Sequence, residues 1–94
     1  MDLTIGYDKA SSQSEAYELA KEAITPEYVA KFNVNADITH SPEKGQIVAK
    51  GKGFTLSLFF GENECNVKLE LSFLLKPLRK TILEKVENKV RKTL

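Results

Sequence analysis

The chain has 94 residues, 41% hydrophobic and 29% charged, which is the size of one small domain (1–94) with globular composition and excludes disorder. No apolar run approaches the ~20 residues needed to cross a bilayer, and Met1-Asp2-Leu3-Thr4-Ile5-Gly6 lacks the basic start and apolar block of a secretory signal, so a cytoplasmic protein that is not transmembrane is expected. The net charge is +1, and the single cysteine, Cys65, rules out an internal disulfide and a metal site built on paired thiolates.

Leu3, Ile5 and Tyr7 alternate with Asp2, Thr4 and Gly6, the pattern of a short half-buried strand. Asp8 to Ser11 reads as a loop. Ser12-Gln13-Ser14-Glu15 fits a capping box at a helix start. Ala16, Leu19, Ala20, Ala23 and Ile24 follow at helical spacing. Pro26 then stops or bends the helix near Ile24-Thr25, because proline lacks the N–H and clashes with the preceding turn. Thr25 is placed to cap a second segment with Pro26 in its first turn, and Tyr28, Val29 and Phe32 extend its apolar face. The expectation is one broken helix over about 13–32.

From Val34 the period becomes two. Val34, Ala36 and Ile38 alternate with Asn35, Asp37 and Thr39, and Ser41-Pro42-Glu43-Lys44-Gly45 is a turn by composition. Ile47 and Ala49 mark the next strand and Gly51-Lys52-Gly53 the next turn. Phe54, Leu56, Leu58 and Phe60 face one way, with Thr55, Ser57 and Phe59 facing the other. After Gly61-Glu62-Asn63, Cys65, Val67, Leu69 and Leu71 alternate with Asn66, Lys68, Glu70 and Ser72. These four strands form a meander with one apolar face. Phe73-Leu74-Leu75-Lys76-Pro77 leads into a last helix whose stripe is Leu75, Leu78, Ile82, Val86 and Val90, widened by Leu83. The predicted fold is α+β, in the order β-α-β-β-β-β-α. An antiparallel sheet of about five strands carries two helices on one face, because two helices cannot cover both. The first strand joins an edge of the meander, and the pattern leaves open which.

Charge is distributed unevenly along this order. Residues 1–37 carry seven acids against three bases, a net −4, whereas residues 76–94 carry seven bases against Glu84 and Glu87, a net +5. Lys76, Arg79, Lys80, Lys85, Lys89, Arg91 and Lys92 are therefore candidate surface or partner contacts, together with Phe59, the aromatic residue on the polar side of its strand. The basic helix could attract anionic lipid or nucleic-acid phosphates, or complement the acidic first helix within or between subunits. Cations near a helix C-terminus also simply favour its dipole. No aromatic residue lies in 76–94, which disfavours base stacking and makes nucleic acid the weakest of these readings.

Candidate chemistry is sparse. Acyl transfer or hydrolysis needs a nucleophile, a base and a group to orient the base. His40, the only histidine, stands at a strand end before a turn, where an exposed polar residue is ordinary, and Cys65 falls on the apolar side of its strand as a small buried hydrophobe. Nothing beyond the two residue types supports a Cys65–His40 pair. Glu15, Glu18 and Glu22 share a helix face, which reads as a solvated surface rather than a metal site. Gly51-Lys52-Gly53 lacks Walker spacing and a following helix, so a hairpin turn explains it better than a phosphate loop. No catalytic residue, cofactor or metal is implied.

The strand pair Gly53-Phe54-Thr55-Leu56-Ser57-Leu58 and Asn66-Val67-Lys68-Leu69-Glu70-Leu71 runs into Phe73-Leu74-Leu75-Lys76-Pro77-Leu78-Arg79-Lys80 and a charged amphipathic helix. Over residues 45–94 this layout resembles the bacterial polyhydroxyalkanoic acid system proteins, also described as granule-region proteins. Thr25-Pro26 interrupts what is a longer continuous helix in that family. The resemblance implies a non-enzymatic accessory protein near polyhydroxyalkanoate granules, with the granule surface or a granule protein as partner. Two further expectations stand beside it: a hydrophobic ligand held between the layers, and a protein-interaction module, homodimeric or an adaptor.

Overall fold

A computed structural model describes residues 2–32 and 35–94. Five strands, β1 (Leu3–Gly6), β2 (Ala36–Ser41), β3 (Gln46–Gly51), β4 (Phe54–Phe60) and β5 (Glu64–Leu71), form one antiparallel sheet in the order β1-β5-β4-β3-β2. Three helices, α1 (Gln13–Ala23), α2 (Pro26–Ala30) and α3 (Arg79–Thr93), accompany it. The α+β architecture with helices on one face is that expected from the periodicities. Val34, placed by the alternation at the start of β2, lies outside the described residues.

The meander follows from the period-two pattern. Leu56 stands opposite Ala49 on one side and Leu69 on the other, and Leu58 stands between Ile47 and Val67, so each row across the sheet is apolar on the same face. All of these side chains are buried. Gly45, with φ at +60°, closes the β2–β3 connection, where a Cβ would sit 3.0 Å from the Phe60 carbonyl oxygen. Only glycine meets both demands. β1 adds to the free edge of β5, Leu3 opposite Val67 and Ile5 opposite Cys65, which answers the question the pattern left open.

The broken helix has the caps its sequence predicts. Ser12 Oγ accepts from the Glu15 N–H at 3.2 Å, and the Glu15 carboxylate returns to the Ser11 N–H at 2.6 Å, one residue earlier than a standard capping box. Thr25 Oγ1 accepts from the Tyr28 N–H at 3.1 Å, with Pro26 in the first turn of α2. α1 buries Ala16, Tyr17 and Ala20, and α2 buries Val29. α1 packs against α3, β3 and β4.

α3 departs from prediction at its start. Ile82, Val86 and Val90 are buried as the stripe requires, and Leu94 continues it. Leu78 does not join them: Lys76–Leu78 is a tight 3₁₀ turn before the helix, and Leu78 is 44% exposed. Proline at position 77 fits this short turn but removes an N–H, so the helical register begins only at Arg79. Arg79 Nη1 donates to the Leu69 carbonyl at 2.8 Å and its second nitrogen pairs with Asp2, whose other carboxylate oxygen accepts from the Leu69 N–H at 2.7 Å. At the far end the Leu94 main-chain oxygen accepts from the Asp8, Lys9 and Ala10 N–H groups. α3 is thus held at both ends against the segment that contains β1.

The burial difference within the stripe is measurable. Ile82→Ala is expected to lower unfolding free energy by about 2–5 kcal/mol, while Leu78→Ala changes it by less than about 0.5 kcal/mol. Urea denaturation of the two variants checks this, and equal losses would contradict the packing described.

Candidate functional site

The residues with chemical potential are kept apart. His40 is exposed on edge strand β2, whereas Cys65 is fully buried on β5. β3 and β4 lie between these strands, a separation of roughly 14 Å at ordinary strand spacing. Burial pushes the Cys65 thiol up to about 12, outweighing a backbone hydrogen bond at Phe59, and its Sγ lies 3.9 Å from the Asn66 carbonyl. The thiolate needed for nucleophilic chemistry is suppressed there. Glu15, Glu18 and Glu22 are exposed, and among the described residues no group of three or more His, Cys, Asp or Glu is placed to hold a metal. The seam between α1, α3 and the sheet, lined by Ala20, Ile24, Leu58, Phe60, Val90 and Leu94 among others, has no room for a water molecule. A ligand between the layers has no space along this seam.

The open face of the sheet is polar. Phe59 stands between Gln46 and Asn66, and Asn66 accepts a 2.8 Å hydrogen bond from Thr4. These neighbours half-bury the ring, so Phe59 does not form an extended apolar patch. The acidic and basic helices α1 and α3 do lie side by side, as complementarity requires. None of the ion pairs among the described residues joins them, however: Lys68 pairs with Glu70, Arg91 with Glu87, and Arg79 with Asp2. Their opposite charges act at longer range.

The strongest surface feature is the corner between β5 and α3. Phe73 is 84% and Leu74 85% exposed, and Leu78 joins them as the third exposed large hydrophobic residue. The backbone fixes this display. The Ser72 N–H donates to the Gly53 carbonyl at 2.8 Å, and the Leu75 and Lys76 N–H groups both donate to the Ser72 carbonyl, at 3.0 and 3.1 Å. Gly53 has φ at +72°, and a Cβ on it would come within 2.6 Å of Ser72 Oγ. Leu75 turns inward against the core, which leaves Phe73 and Leu74 outward. Three consecutive apolar residues cannot all face one core under either the strand or the helix period, and this was the available signal for their exposure.

The seven basic candidates divide by position. Lys76 and Lys80 are exposed beside the apolar corner. Arg79 is committed to Asp2 and the Leu69 carbonyl, and Arg91 to Glu87, so both are structural partners first. Lys85, Lys89 and Lys92 line a groove between α3 and α2, joined by Lys31 and Tyr28, which the charge pattern did not single out. No helix among the described residues is long and apolar enough to cross a membrane. Compared with known protein families, curated proteins and solved structures, the chain shows no significant match.

Two outcomes test the interior chemistry. The Tyr17 hydroxyl is buried with no hydrogen-bond partner among the described residues, while its ring meets Phe60 edge-on at 6.0 Å. Tyr17→Phe is therefore expected to leave thermal stability unchanged or raise it by about 1 kcal/mol. Burial also raises Tyr7 and Tyr28 to about 12, as it does Cys65. Neutral forms are favoured in the fold, so stability is complete below the ordinary pKa values of 9 and 10 and is lost as pH rises towards 12. Cys65→Ala should flatten the early part of that decline, by up to about 1.4 kcal/mol per pH unit. An unaltered slope in alkaline urea titrations would refute the assignment to Cys65.

Proposed function

We propose that this chain is a non-enzymatic accessory protein that attaches reversibly to a hydrophobic surface with an anionic coat. The observation that carries this reading is the exposed apolar corner of Phe73, Leu74 and Leu78, set beside Lys76 and Lys80. Transfer of a Phe or Leu side chain out of water is worth about 1.5–3 kcal/mol, and a lysine near an anionic surface adds about 1 kcal/mol. Two or three insertions with two lysines supply about 5–11 kcal/mol gross, and the several kcal/mol that association costs bring this down to the range of reversible anchoring rather than permanent insertion. The seam closed to water and the separation of His40 from Cys65 support a role at the outer surface without catalysis. A polyhydroxyalkanoate granule, the partner implied by the resemblance of residues 45–94, is a surface of this kind, and it would place the protein at storage granules in the cytoplasm.

The test is co-sedimentation with polyhydroxybutyrate granules and with vesicles containing anionic lipid, at moderate salt. The wild-type chain is expected in the pellet, and the triple variant Phe73→Ser, Leu74→Ser, Leu78→Ser in the supernatant with unchanged thermal stability. No enrichment over a control domain of equal charge overturns the proposal. A second copy of the chain is the competing occupant of the corner. A dimer seen by sedimentation velocity, abolished by the same substitutions in a chain that ignores both surfaces, would make the protein an interaction module instead.

A further inference from the structure

We infer that the groove between α2 and α3 is a binding site for a multivalent phosphate group. It has a volume of about 300 Å³, at the lower end of small-ligand sites. Its walls carry Lys31 from the α2 end and Lys85, Lys89 and Lys92 from α3, and no carboxylate lines it. None of these four lysines forms an ion pair among the described residues.

The sorting of charge on α3 makes the groove more than a solvated face. Lys85, Lys89 and Lys92 are spaced four and three apart, which stacks them along one side of the helix. Glu87 is turned away on another flank, where Arg91 holds it at 2.9 Å. Like charges at this spacing oppose helix formation, and neither acid of α3, Glu84 or Glu87, stands three or four residues from any of these lysines to relieve them. A multivalent anion in the groove offsets that repulsion. Lysine ammonium groups serve phosphate as point charges, and four of them come close to balancing a diphosphate or a pair of phosphomonoesters.

The floor is aromatic and tied to the core. The Tyr28 hydroxyl donates to the Lys85 carbonyl at 3.3 Å, which pins α2 to α3. Tyr28 meets Phe32 edge-on at 5.3 Å, and Phe32 packs on core residue Phe54 at 6.4 Å. The Lys89 ammonium lies 5.5 Å from the Tyr28 ring centre, so one cation is already positioned over the floor. This chain of contacts is independent of the apolar corner at 73–78.

The phosphate could belong to a free molecule or to a lipid headgroup, and two arms separate these sources. In the first, the full chain is titrated with inorganic pyrophosphate and followed by amide chemical shifts. Saturable shifts are expected in 28–32 and 85–92. Lys85→Gln with Lys89→Gln should weaken binding by roughly tenfold or more, about 1.4 kcal/mol, whereas Lys50→Gln with Lys52→Gln leaves it unchanged. The groove variant is also expected to unfold at about the same urea midpoint as wild type without ligand, since relief of repulsion and loss of the Lys89 contact with the Tyr28 ring oppose each other. In the second arm, vesicles of phosphatidylcholine with phosphatidic acid are compared with phosphatidylcholine alone. Preference for phosphatidic acid that the groove variant loses assigns a headgroup; pyrophosphate binding without that preference assigns a free phosphate. The corner variant Phe73→Ser, Leu74→Ser, Leu78→Ser should retain pyrophosphate binding, so this inference and the surface-attachment reading fail separately. Shifts spread over all lysines, or equal loss in the Lys50/Lys52 variant, would overturn the site.

Discussion

The structure depends on one contact: the apolar face of a five-stranded antiparallel sheet against the Ile82, Val86 and Val90 stripe of α3. A sheet with one greasy face has to cover it, and a chain of 94 residues has three short helices for the purpose. α3 packs over β1 and β5 and α1 over β3 and β4, so rows such as Ile47, Leu58 and Val67 are covered by the two helices together. Burial on this scale is the main favourable term in folding. The polar opposite face, with Thr4, Gln46, Asn66 and the Lys68–Glu70 pair, then needs no cover and remains in water.

The seam between α1, α3 and the sheet closes without space for water. The buried Cys65 thiol and the partly buried phenols of Tyr7 and Tyr28 are held in their neutral forms by their surroundings. What is left to interact is outside: an apolar corner fixed by two successive turns, and a lysine-lined groove with an aromatic floor. Both arise because α3 begins late, after Pro77, and because its charges are sorted by flank rather than scattered.

Most of the fold was legible because periodicity reports burial directly. The alternation from Phe54 to Leu71 and the Pro26 interruption read correctly, down to the Ser12 and Thr25 caps. The pattern left the β1 partner open, because both meander edges offer apolar rows, whereas the contacts of Asp2 with Leu69 and Arg79 that accompany the β5 edge are tertiary. Leu78 was misread because it keeps helical spacing with Ile82, and spacing cannot detect that Pro77 has made a separate tight turn. The surface features were only half visible. Seven bases near the end of the chain stood out by composition, yet which were paired, which faced Tyr28 and which flanked Phe73 depends on tertiary neighbours. Lys31 shows the limit well, since nothing in its local sequence marks it as a neighbour of Lys85.

The clamps at the two ends of α3 also bear on the order of assembly. Asp2 and Arg79 are 77 positions apart, and Ala10 and Leu94 are comparably distant, whereas each meander strand is joined to the next by a short connection. Bringing remote segments together carries a loop-closure cost that neighbouring hairpins avoid. The meander can therefore register first and offer β5 as a template, with β1 and the last helix locking onto it together as the final, mutually dependent step.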